Sequence, residues 1–185
     1  IYPILESRKV DKDGNTIEVV LYYDRYDFRA TIKVAGKDKG VTMAVYLDKP
    51  VPAELVGKAG MNIEFFPATY FGKTYMMDGK YDILPKHPAG NTEMRPLEEK
   101  VVQIYGEGYS YSTFDDRGRD EFLVAHPIAT GKTLVMAPED KDIRVTFKSD
   151  SDINLYDGRN LSSNGTFVVR SFLPEGKTGK VVEWY

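Results

Sequence analysis

From Phe28 to Val34 the side chains alternate, with Phe28, Ala30, Ile32 and Val34 on one side and Arg29, Thr31 and Lys33 on the other. A period of two belongs to an extended strand with one buried and one wet face. Val41, Met43, Val45 and Leu47 repeat the pattern after Gly36-Lys37-Asp38-Lys39-Gly40, which predicts a hairpin. An earlier hairpin is predicted by residues 4–10, the turn Asp11-Lys12-Asp13-Gly14-Asn15, and then Ile17, Val19 and Leu21. Asp-Gly supplies the positive backbone angle that such turns demand. Further strands are predicted over 101–105, 122–125, 133–137, 143–147, 153–156, 166–172 and 181–185, with Asp150-Ser151-Asp152 and Asp157-Gly158 as turns. No stretch carries a sustained helical stripe, and residues 52–58 hold one or two turns at most. The segment around 70–100 reads as one long irregular loop, since Gly72, Gly79, Pro85, Pro88, Gly90 and Pro96 interrupt its aromatics. A loop of that length in a compact domain is more often functional than accidental. About a dozen short strands separated by Gly, Pro, Asp and Asn clusters predict an all-β fold. The expected form is an antiparallel β-sandwich, jelly-roll or immunoglobulin-like, forming a single domain over 1–185.

Composition narrows the chemistry mainly by what it lacks. With Lys+Arg at 25 and Asp+Glu at 28, the net charge of −3 offers none of the basic excess that phosphate binding uses, so no nucleic-acid partner is expected. The chain has no cysteine, which excludes thiol nucleophiles, disulfides and thiolate metal sites. The two histidines, His87 and His126, are too few for a multi-histidine metal centre within one chain. The apolar runs are too short for a transmembrane segment. The sequence opens at Ile1 without Met, a positive region or an apolar run, so an export signal is expected to have been removed or left out.

Two motifs fail on context. Gly131-Lys132-Thr133 resembles the end of a phosphate-binding loop, but His126 stands where the first Gly is needed, and a strand rather than a helix follows. Asp11-Lys12-Asp13-Gly14-Asn15 resembles a calcium loop, but the ligand spacing places Lys9 and Val20 where oxygen donors belong. The acidic group Asp115, Asp116, Asp120 and Glu121, interleaved with Arg117 and Arg119, reads mainly as a self-neutralising loop and secondarily as a calcium site. A glycosidase reading would draw its two carboxylates from Asp115, Asp116 or Glu121, with His126 beside them. No cofactor is expected.

Tyrosine is the one enriched residue type, at 13 of 185, with nine phenylalanines beside it. Tyr70, Tyr75, Tyr81, Tyr109 and Tyr111 are the candidates for stacking against the apolar face of a sugar. The competing reading places these rings in the sandwich core, where aromatics bury large areas.

Two stretches carry more specific information. The first is Gly60-Met61-Asn62-Ile63-Glu64-Phe65-Phe66-Pro67 with Tyr70-Phe71-Gly72-Lys73-Thr74-Tyr75. The second starts at Met136-Ala137-Pro138-Glu139-Asp140 and passes through Leu155-Tyr156-Asp157-Gly158-Arg159-Asn160 and Asn164-Gly165. It then runs through Val168-Val169-Arg170-Ser171 and Leu173-Pro174-Glu175-Gly176-Lys177-Thr178-Gly179 to Glu183-Trp184. Together they resemble the N-terminal β-sandwich module of Bacteroidetes glycoside hydrolases of family nine. That resemblance implies a non-catalytic accessory module of an exported polysaccharide-degrading enzyme, periplasmic, at the cell surface or secreted. It acts there as structural support or as a weak glycan-binding surface. The implied partners are a downstream catalytic module of the same chain and a β-glucan or xyloglucan oligosaccharide. The family's Asp-Ala-Gly-Asp signature is absent, so no catalytic residue carries over. The alternatives are a stand-alone carbohydrate-binding or protein-interaction sandwich, and an enzyme in its own right.

Overall fold

The computed structural model describes residues 3–88, 92–96, 110–112, 121–159 and 165–185, with side chains described outside 92–96, 110–112 and 121–125. The protein is all-β and largely antiparallel. Among the described residues, two short 3-10 turns, at Asp24–Tyr26 and Ala53–Leu55, and one four-residue helix, α1 at Pro67–Tyr70, interrupt the strands. No helix among the described residues is long and apolar enough to cross a membrane. The chain gathers into two compact units, one of residues 1–61, 147–151 and 172–185, the other of residues 62–146 and 152–171.

In the first unit the two predicted hairpins form. β1 (Ile4–Asp11) pairs with β2 (Thr16–Tyr23), and β3 (Phe28–Lys37) pairs with β4 (Gly40–Leu47). Asp11 closes the first turn, its Oδ1 accepting from the backbone N–H groups of Asp13 and Gly14 at 3.1 and 3.0 Å. The second turn is tighter than the five residues expected, because Asp38 adopts φ +51° and lets the strands run on to Lys37 and Gly40. β2 also pairs with β3, and β4 pairs with β14 (Gly179–Trp184). The register lines up Leu5, Leu21, Ala30 and Leu47 on one face, with Val10, Ile17, Val34 and Met43 in a parallel row. The opposite face mixes polar residues such as Arg29, Thr31 and Lys33 with Val20, Tyr22 and Tyr46. There Arg29 forms a two-pronged bond to Glu6 and lies 4.1 Å over the Tyr22 ring. Burial on the apolar face rises across the sheet, from Leu5 at 60% exposed to Leu47 and Val182, both inaccessible. The deepest point is Trp184, fully enclosed and edge-on to Phe147 with ring centres 5.5 Å apart.

The second unit holds β5 (Gly60–Phe65, from Asn62 onward), α1, β6 (Thr74–Met77), β7 (Lys80–Ile83) and β11 (Ala129–Met136). The end of β12 (Val145–Asp157) and most of β13 (Phe167–Phe172) complete it. Its strand order is β12-β11-β6-β7, with β13 against β12 and β5 against β13. A separate three-stranded sheet joins β8 (Thr92–Pro96), β10 (Glu121–Ala125) and β9 (Ser110–Ser112), with β10 in the middle. Residues 153–157 and 167–169 are buried without alternation, as expected of strands covered on both faces in a sandwich-like fold.

Two differences from the sequence reading have clear causes. Inside the Gly- and Pro-rich segment around 70–100, β6 and β7 form a hairpin, because Asp78 and Gly79 take positive φ angles of 48° and 81°. The Asp78 carboxylate then accepts the backbone N–H groups of Lys132 and Thr133 at 2.9 and 2.8 Å, fastening the turn to β11. Asp150-Ser151-Asp152, expected as a turn, instead lies within the 13-residue strand β12. Its acidic side chains face outward, where Asp152 pairs with Lys132 at 2.8 Å, so the strand continues without burying charge. The strand expected over 101–105 lies outside the described residues.

Candidate functional site

The β6–β7 hairpin and α1 carry three of the five tyrosines proposed for sugar stacking, and they point in different directions. Strand register explains the divergence. Tyr75, Met77, Leu134 and Met136 share one face of the sheet, while Met76, Tyr81, Thr74 and Ile83 share the other. The first set forms core, and Tyr75 is 4% exposed. Its hydroxyl reaches Asp82 Oδ2 at 3.5 Å, the long limit of a hydrogen bond. Burial, followed by the Asp82 charge and its hydrogen bond, pushes the Tyr75 hydroxyl above its ordinary pKa. Tyr70, at the end of α1, is 7% exposed, donates its hydroxyl to the Ile143 carbonyl at 2.9 Å, and meets Phe65 edge-on at 5.1 Å. Its pKa is raised by burial first and by the Asp140 charge second.

These positions correct the stacking role expected of Tyr70 and Tyr75. A pyranose needs an open ring face, and both faces are covered by protein. Tyr81 differs. It stands on the outer strand β7 at 67% exposed, next to Ile83 on the same face. Tyr111 lies in β9, but its side chain is outside the described set. Tyr109 and the calcium candidates Asp115, Asp116 and Asp120 lie outside the described residues altogether. No group of three or more His, Asp or Glu that could hold a metal ion occurs among the described residues.

Two carboxylates of the connection between β11 and β12 serve as internal fasteners. Lys73 donates to Asp140 Oδ2 at 2.9 Å, and Glu139 Oε1 accepts the Thr74 backbone N–H at 2.8 Å. The Lys73 hydrogen bond holds Asp140 below the ordinary carboxylate range and lifts Lys73 above its own. The Thr74 N–H lowers Glu139 in the same way. Both acids therefore remain charged, bonded to the start of β6. The segment that carries them leaves β11 through Ala137, a buried residue in the left-handed region at φ +48°.

A second polar cluster went unrecognised in the sequence. Asp157, read there as half of an Asp-Gly turn, is the last residue of β12 and is completely buried. Arg159 answers its charge, with Nε donating to Oδ1 at 2.8 Å and Nη2 to Oδ2 at 2.7 Å. The same guanidinium donates from Nη1 to the Lys86 carbonyl at 3.1 Å and from Nη2 to the Pro85 carbonyl. It also lies 4.6 Å over the Phe167 ring. A planar five-donor fork suits this task, since it spans two carboxylate oxygens and two carbonyls at once. Beside this pair Gly165 passes against Gly158 and Arg159, where a Cβ would overlap the Gly158 carbonyl. The available signal was Asp157-Gly158-Arg159 followed by Asn164-Gly165, two glycines placed where backbones meet.

No protein family, curated protein or solved structure matches this chain.

Proposed function

We propose that this chain is a non-catalytic accessory β-sandwich module of an exported polysaccharide-degrading glycoside hydrolase, and that it works as structural support for a catalytic module of the same polypeptide. One observation carries the choice of support over ligand binding: Tyr70 and Tyr75 face inward and spend their hydroxyls on internal bonds. The internal pairing of Asp140, Glu139 and Asp157 supports the same reading, because these acids are committed to holding loops and strands. The link to family nine rests on the sequence resemblance of the segments around 60–75 and 136–184. The test compares the full-length polypeptide with a version lacking this segment. Loss of the segment should lower the melting temperature and half-life of the catalytic module while leaving its kcat near that of the parent. Equal stability with and without the segment would overturn the proposal.

Tyr81 favours one secondary reading, a weak glycan-contact surface on β7, because its ring is open to solvent beside Ile83. Titration with a soluble cello- or xyloglucan-oligosaccharide, followed by shift-mapping NMR, would place perturbations on residues 74–83. Tyr81→Ala should abolish them and Tyr70→Phe should not. Silence at millimolar ligand would eliminate this reading and leave the support role standing.

A further inference from the structure

We draw no further inference here: the strongest candidate, the apolar face of β1 and β2 on which Leu5, Val10 and Ile17 remain exposed, carries nothing because no feature of the structure shows what covers it.

Discussion

Replacing Arg159 with alanine should be among the most damaging single changes in this protein. The substitution strands the Asp157 carboxylate at 0% exposure with both oxygens deprived of their guanidinium donors. Removing one partner of a buried pair costs about 3–5 kcal/mol, mostly because the remaining charge has no solvent to turn to. Arg159 also gives up its bonds to the Pro85 and Lys86 carbonyls and its place over Phe167. Those losses add little beyond that range, because Lys86 is exposed and Pro85 half-buried, so water can reach the carbonyls. Against a total stability of about 5–15 kcal/mol, the change removes a large share. Urea unfolding followed by far-ultraviolet circular dichroism would measure the loss. Backbone amide exchange at Leu84, whose N–H donates to the Lys73 carbonyl at 2.8 Å, would report whether the segment held by Arg159 loosens. Asp157→Asn keeps the shape and removes the charge, so it should cost less. Arg159→Met combined with Asp157→Leu should recover much of the loss, since both charges leave together. A cost below about 1 kcal/mol for Arg159→Ala, with Leu84 exchange unchanged, would refute the reasoning, because a buried unpaired carboxylate cannot be that cheap.

Other outcomes follow from the same geometry. Tyr70→Phe deletes a single buried donor to the Ile143 carbonyl and should cost about 1 kcal/mol in chemical denaturation. Tyr75→Phe should cost less, because the bond it loses is long. Gly165→Ala drives a methyl group into the Gly158 backbone and should destabilise by about 1–3 kcal/mol or more, as read from the shift of the urea midpoint. Asp140 and Glu139 have folded pKa values lowered below their unfolded ones, so the stability they contribute is complete above the unfolded carboxylate range and is lost as pH falls below that range through the lowered folded values. Lys73→Met should therefore reduce the difference between the denaturation midpoints at neutral and acid pH. An unchanged difference would show that the Lys73–Asp140 bond contributes nothing to acid sensitivity.

The parts of the fold that were legible from sequence are those in which a local period and a turn residue agree. β3 and β4 satisfy both conditions, with alternation along each strand and Asp38 at the reversal. β1 and β2 are marked chiefly by the Asp11 and Gly14 turn, since the register of β1 shifts between Leu5 and Ser7. β6 and β7 satisfy only one, because strands as short as Thr74–Met77 and Lys80–Ile83 offer two residues per face, and the surrounding glycines and prolines mask so brief a signal. Periodicity also does not say which face of a strand turns inward. The density of aromatic residues placed Tyr75 and Tyr81 among the same stacking candidates, whereas pairing with Asp82 and Met76 sends them to opposite sides of the sheet. Asp157 was misread for a different reason. An Asp-Gly pair signals a turn when considered alone, and the pairing of Asp157 with the charge two residues later becomes visible only in the folded chain.

Trp184 has a practical consequence for any study of this protein. The sequence contains one tryptophan, and it lies wholly enclosed on β14 against Phe147, in the unit built from β1 to β4. Selective excitation of its indole therefore observes that unit alone, whereas an optical signal from the strands averages over the entire chain. Superimposable melting curves from the two probes would mean that both halves come apart in a single cooperative step. A separation between them would divide the chain into independently melting parts without a single cut or substitution.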